Sequence, residues 1–190
     1  MDGGTVSGNF EELHNIVLDP INMVKRKKAD IIYLMGNHED WLLKAGILCP
    51  NGRKYWDIDR NVDLSKYKMT VVQPNMAYRV NDNLSVIHGV YVNQHHAKRT
   101  VEVYHTSILY GHTHDIQSYT LVSPIDIDHF YKGGSIGCLC NRNPFYMRNR
   151  PNRWVNGFSY IYVDDKTGHF NDYNVIIVKN EFWANGRKYH

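Results

Sequence analysis

Apolar residues gather along this chain in short runs that break off into polar, chemistry-bearing side chains. Ile31-Ile32-Tyr33-Leu34-Met35 runs into Gly36-Asn37-His38-Glu39, Leu84-Ser85-Val86-Ile87 into His88-Gly89, and Ser107-Ile108-Leu109-Tyr110 into Gly111-His112-Thr113-His114. The runs are rich in β-branched and aromatic residues, which predicts buried strands. Side chains just past the carboxyl ends of neighbouring strands converge on one crevice, where open α/β sheets bind their ligands. Histidines in such positions predict a dinuclear metal site.

The remaining pattern fills in the elements. Phe10, Leu13, Ile16, Val17, Ile21 and Val24 recur at helical spacing, with Ser7 or Asn9 as cap, Glu11 and Glu12 in the first turn and basic residues 25–28 at the end. Pro20 is expected to kink or divide this amphipathic helix, because proline lacks the N–H donor and crowds the preceding turn. Residues 38–45 predict a helix ended by Gly46, and the polar segment to Tyr67, with Tyr55 and Trp56 in it, predicts a lid or rim. Further strands are expected at 71–72, 76–80, 116–122, 129–132, 158–163 and 170–178. Asn81-Asp82-Asn83 reads as a turn into the strand that delivers His88, and Asp164-Asp165-Lys166-Thr167-Gly168 as a hairpin turn.

With 190 residues and 43% hydrophobic content the chain fits one domain with a sizeable core and is not a disordered segment. A formal charge of +3 is too mild to indicate nucleic-acid binding by itself. Eleven histidines suit a metal protein, although His14, His95, His105, His129, His169 and His190 read as surface or packing residues. The three cysteines, with a single residue between Cys138 and Cys140, predict buried reduced thiols rather than a zinc or redox motif. No signal peptide is evident, and no apolar run approaches the roughly 20 residues of a membrane span, so a cytoplasmic protein without a membrane partner is expected. Arg142, Arg148, Arg150 and Arg153 alternate with Phe145, Tyr146 and Trp154. Arg148 and Arg150 are candidates for clamping a nucleic-acid backbone while the aromatics stack bases; the plainer reading is a solvated loop whose aromatics pack on the core.

In this order, the segments Gly36-Asn37-His38-Glu39, His88-Gly89 and Gly111-His112-Thr113-His114 resemble the GNH(E/D), HG and GHTH blocks of the calcineurin-like metallophosphoesterase superfamily, over roughly Met1 to Gly137. The resemblance implies a single α/β domain spanning 1–190, a two-sheet sandwich flanked by helices. It implies metal-dependent hydrolysis of phosphomonoesters or phosphodiesters by a metal-activated hydroxide. Asn37, His88 and His112 would hold one divalent transition ion, manganese foremost with iron or zinc as alternatives, and His114 would contribute to a second. His38 would donate a proton to the leaving group, oriented by Asp2, while Glu39 anchors its loop. Lys132-Gly133-Gly134-Ser135 resembles the small-residue turn that follows the third block.

The family's Asp-x-His block and its Gly-Asp-x-x-Asp block are incomplete here, and Met1-Asp2-Gly3-Gly4 resembles only the tail of the second. The expectation is a chain that starts inside that motif, lacks the first strands of the family fold and self-associates through an exposed sheet edge. Gly3 stands where the family's Ser/Thr protein phosphatases carry an arginine, which argues against that branch. The alternative function is a catalytically impaired relative acting as a nucleic-acid or protein-binding module. Simpler roles also remain for single residues: alternate side chains of an extended segment face opposite ways, leaving one of His112 and His114 merely packed, and Asn37 serves equally as a loop-capping amide.

Overall fold

The computed structural model describes residues 10–190. Asp2, Gly3 and the candidate caps Ser7 and Asn9 lie outside the described residues. The elements are mixed α/β, as the pattern predicts, and the chain divides into two compact units, Met1–Met76 and Ala77–His190.

The first unit begins with a helix over residues 10–24. Its middle, Leu13–Leu18, is π-helical, with the Asp19 N–H bonded to the His14 carbonyl, and it passes into α1 (Asp19–Val24) with Pro20 in the first turn. The division expected at Pro20 thus takes the form of a widened turn ahead of it, which accommodates the missing donor and the crowded ring. Strand β1 (Ile32–Leu34) leads into α2 (Asn37–Leu48). That helix does not end at Gly46 as expected. Glycine costs about 1 kcal/mol in a helix interior, and here the helix runs past it alongside α3 (Arg53–Trp56), where a Cβ at Gly46 would meet Arg53 Cγ at 3.7 Å and Trp56 Cβ at 3.9 Å.

The segment expected to form a lid is instead part of this unit's core. It folds into 3-10 turns at Pro50–Gly52 and Leu64–Tyr67 around α3 and α4 (Ile58–Val62). Ile58, Val62, Leu64 and Tyr67 bury themselves with Leu18 and Met35. The Tyr67 hydroxyl donates to Asp19 Oδ1 at 2.8 Å and lies 2.7 Å from His14 Nδ1. Strand β2 (Thr70–Val72) closes the unit by pairing in parallel with β1, Ile32 opposite Thr70 and Leu34 opposite Val72.

The second unit opens with β3 (Tyr78–Arg79), the Asn81-Asp82-Asn83 turn and β4 (Leu84–Ile87). Then come α5 (His96–Tyr104), β5 (Ser107–Tyr110), β6 (Ile116–Val122) and β7 (Phe130–Ile136). They form one five-stranded sheet in the order β3-β4-β5-β7-β6, with β4, β5 and β7 parallel and the outer strands antiparallel. Helix α5 is the crossover that two parallel neighbours require. Lys132-Gly133-Gly134-Ser135 is not a turn but the middle of β7, where small residues let α5 sit against the sheet. Two antiparallel pairs follow: β8 (Gly157–Val163) with β9 (Phe170–Ile176), joined by the expected turn, and β10 (Phe182–Ala184) with β11 (Arg187–Tyr189). Among the described residues no helix is long and apolar enough to cross a membrane.

Candidate metal centre

The parallel register of β4 and β5 sets Ile87 opposite Tyr110, so His88 and Gly111 leave the sheet side by side, tied by a bond from Gly111 N–H to His88 O of 2.9 Å. His112 then turns back toward His88. Their nearest ring nitrogens, His88 Nε2 and His112 Nδ1, are 3.2 Å apart, with ring centroids at 5.0 Å. Gly89 makes this approach possible: its φ of +118° is foreign to other residues, and a Cβ there would stand 2.9 Å from the Cβ of His112.

Residues 111–114 are not extended. His112 and His114 both occupy the left-handed region, at φ 64° and 61°, so the alternation of a strand does not decide where they point. His114 meets Trp154 edge-on at 4.2 Å, and its Nδ1 lies 3.9 Å from Cys140 Sγ. The cysteines are not buried as expected: Cys49 and Cys140 are exposed and Cys138 is half-buried, because Cys138 and Cys140 fall in the loop just past β7. Although Cys140 as a residue is exposed, partial desolvation of its sulfur, and then the neighbouring Cys138 thiol, push its pKa up to about 11.

Beneath these loops lies a buried polar network that the sequence pattern did not single out. His96, 3% exposed on the first turn of α5, places Nδ1 2.6 Å from the Tyr110 hydroxyl and Nε2 3.0 Å from Asp115 Oδ2. Asp115 Oδ1 also accepts from Thr113 Oγ1 at 2.7 Å and Ser135 Oγ at 3.0 Å. Burial works to raise Asp115, but hydrogen bonds from Thr113, His96 and Ser135, with the electrostatic pull of His96, outweigh it and hold the carboxyl below its ordinary value. Burial raises the Tyr110 phenol. The network fixes both ends of the loop that carries His112 and His114.

A pocket of about 330 Å³ opens over this network, lined among others by His96, His112, Asp115, Arg153 and Trp154. Arg148 and Arg150 do not line it; both are exposed, following the 3-10 turn Phe145–Met147. Phe145 and Tyr146 are 83% and 62% exposed, so these aromatics do not pack on the core as the plainer reading held.

Asn37 and His38 belong to the first unit. Both open α2, His38 exposed and stacked on Trp41 at a centroid distance of 4.9 Å. Glu39 anchors its loop as expected, accepting from Gly36 N–H at 2.7 Å and from the Tyr33 hydroxyl at 2.9 Å.

Whether the His88–His112 pair suits an ion follows from the spacing. Two imidazole nitrogens each at 2.0–2.1 Å from one ion stand about 2.8–3.4 Å apart across octahedral to tetrahedral angles. The observed 3.2 Å lies inside that range and is also the length of a hydrogen bond between one ring N–H and the other ring's bare nitrogen, the contact the two imidazoles make without an ion. No protein-family model matches the chain, and comparison with curated proteins finds no match.

Proposed function

We propose that this protein is a metal-dependent phosphoester hydrolase of the metallophosphoesterase kind. The observation that carries the reading is the His88–His112 nitrogen pair, chelate-spaced at the carboxyl ends of adjacent parallel strands. A divalent transition ion, manganese foremost, suits imidazole joined by amide or carboxylate oxygen. When bound, it supplies Lewis-acid polarisation of a phosphoryl oxygen and a lowered pKa for water.

The chain's own residues do the rest. His88 and His112 hold the ion, and the His96–Asp115 network keeps the His112 loop in place. Arg153, which lines the same pocket as His112, offers a guanidinium fork to phosphate oxygens. Exposed Phe145 and Tyr146 beside Arg148 and Arg150 favour a single-stranded nucleic acid as the long form of the substrate, in a cytoplasmic setting.

The test is hydrolysis of bis-p-nitrophenyl phosphate by the metal-free chain resupplied with manganese, iron or zinc, with bound metal counted by elemental analysis. Turnover is expected to require added metal, and His88→Ala and His112→Ala are expected to lose both metal and turnover. Absence of turnover with all three ions, or full turnover in both variants, overturns the proposal.

A further inference from the structure

We propose that His114, Cys138 and Cys140 form a thiolate–imidazole metal site, separate from the His88–His112 pair, which takes a soft or borderline divalent ion, zinc foremost. One ligand atom from each residue lies within 4.8 Å of the other two, and His114 Nδ1 is 3.9 Å from Cys140 Sγ. Around tetrahedral zinc, with bonds of about 2.3 Å to sulfur and 2.0–2.1 Å to nitrogen, those separations are about 3.8 Å between sulfurs and about 3.6 Å between sulfur and nitrogen.

The backbone around the cluster is already fixed. Val155 joins two of its members, donating its N–H to His114 O at 2.8 Å and accepting from Cys138 N–H at 3.0 Å. Gly157 N–H then bonds Cys138 O at 2.9 Å, and Asn156 Nδ2 holds Cys140 O at 2.7 Å. Cys138 is bridged to Asn156, and the chain then bends through residues 139–140, leaving Leu139 73% exposed while both thiols stay within reach of His114. Trp154 braces the imidazole from its edge. The one-residue spacing that speaks against a zinc motif in sequence is therefore supplemented by a histidine delivered from a different strand end.

The donor sets of the two sites differ in softness. Thiolates select zinc over manganese, whereas an imidazole pair with oxygen donors accepts manganese. Binding a divalent ion at the cysteines displaces the two thiol protons to solvent, and three protein ligands leave the fourth tetrahedral position to water or a substrate atom. The site does not depend on the hydrolase reading, because neither His88 nor His112 belongs to it.

The experiment titrates the metal-free 190-residue chain with cobalt and reads the thiolate-to-cobalt charge-transfer absorption. One equivalent is expected to saturate the band, and zinc is expected to bleach it by displacement. Cys138→Ser and Cys140→Ser are each expected to lose the band, while His88→Ala and His112→Ala keep it. In parallel, the unmutated chain reacts with an aromatic disulfide reagent: zinc is expected to protect Cys138 and Cys140 and leave exposed Cys49 reactive. No charge-transfer band at stoichiometric cobalt, a band that survives loss of both thiols, or thiol reactivity indifferent to zinc overturns the proposal. Hydrolysis is read in neither arm, so failure here and failure of the hydrolase reading are distinguishable.

Discussion

Gly133 of β7 lies so close under Val101 of α5 that a Cβ added to it would stand 2.5 Å from Val101 Cγ2 and 2.7 Å from the Ala97 carbonyl oxygen. That gap seats the helix and carries His96 over Tyr110 and Asp115. Gly133→Ala is expected to force the helix outward at an overpacking cost of about 1–3 kcal/mol, read by denaturant unfolding. Gly134→Ala is the control, because its Cβ meets the movable Leu109 Cδ2 at 3.2 Å rather than helix backbone, and its loss of stability is expected to be smaller. Equal losses of stability from the two changes would contradict this account of how α5 is seated.

The same helix positions the buried network. His96→Ala removes one hydrogen bond from the Tyr110 hydroxyl and one from the Asp115 carboxylate, which keeps Thr113 and Ser135, and each lost hydrogen bond costs about 0.5–1.5 kcal/mol. The variant is expected to be destabilised by at least one such increment, and its His112 loop to lose protection in hydrogen exchange before the sheet does. Unchanged stability and exchange would mean that water replaces His96 without penalty.

Asp19 supplies a pH dependence in the first unit. Hydrogen bonds from Tyr67, and then from Lys66, hold its carboxyl below the ordinary value. A folded-state pKa below the unfolded one contributes stability above the unfolded value of about 3.9 and loses it as pH falls through the folded value. Asp19→Asn is therefore expected to be less stable than the parent chain at neutral pH, with the difference closing below about pH 4. Parallel stability curves across that window would show that Asp19 titrates alike in both states.

The strands that deliver His88 and His112 were legible because apolar runs end sharply at Ile87 and Tyr110, and the Asn81-Asp82-Asn83 turn fixes where β4 begins. Helix α5 was not, because its buried face is His96, Ala97, Thr100 and Val101, half polar and half small or β-branched, which hides the periodicity. The core role of residues 50–67 was hidden for a related reason: helices of four or five residues are too short to show a period at all. At the site, spacing reached His88 and His112 but not the partnership of His96 with Asp115, which parallel packing brings together across 19 residues. Nor did it reach His114 with Cys138 and Cys140, whose meeting depends on Val155.

The basic aromatic loop separates the binding of a long substrate from the chemistry on a short one. Arg148 and Arg150 are exposed outside the pocket, whereas Arg153 lines it, as His112 does. Reversing Arg148 and Arg150 to Glu is expected to weaken single-stranded DNA binding and to flatten its dependence on salt by about 0.7 in the log–log slope for each phosphate no longer neutralised. Hydrolysis of a small aryl phosphate has no backbone to reach those positions, so its kcat/KM is expected to hold. Arg153→Ala is expected to do the reverse to the small substrate, raising KM because the phosphoryl oxygens no longer receive a charged hydrogen bond. Fluorescence anisotropy over a salt series, run beside steady-state kinetics, reads both effects. If the double reversal leaves affinity and salt slope unaltered, Arg148 and Arg150 belong to an inert solvated surface, and the nucleic-acid reading falls while the hydrolase reading stands on His88 and His112.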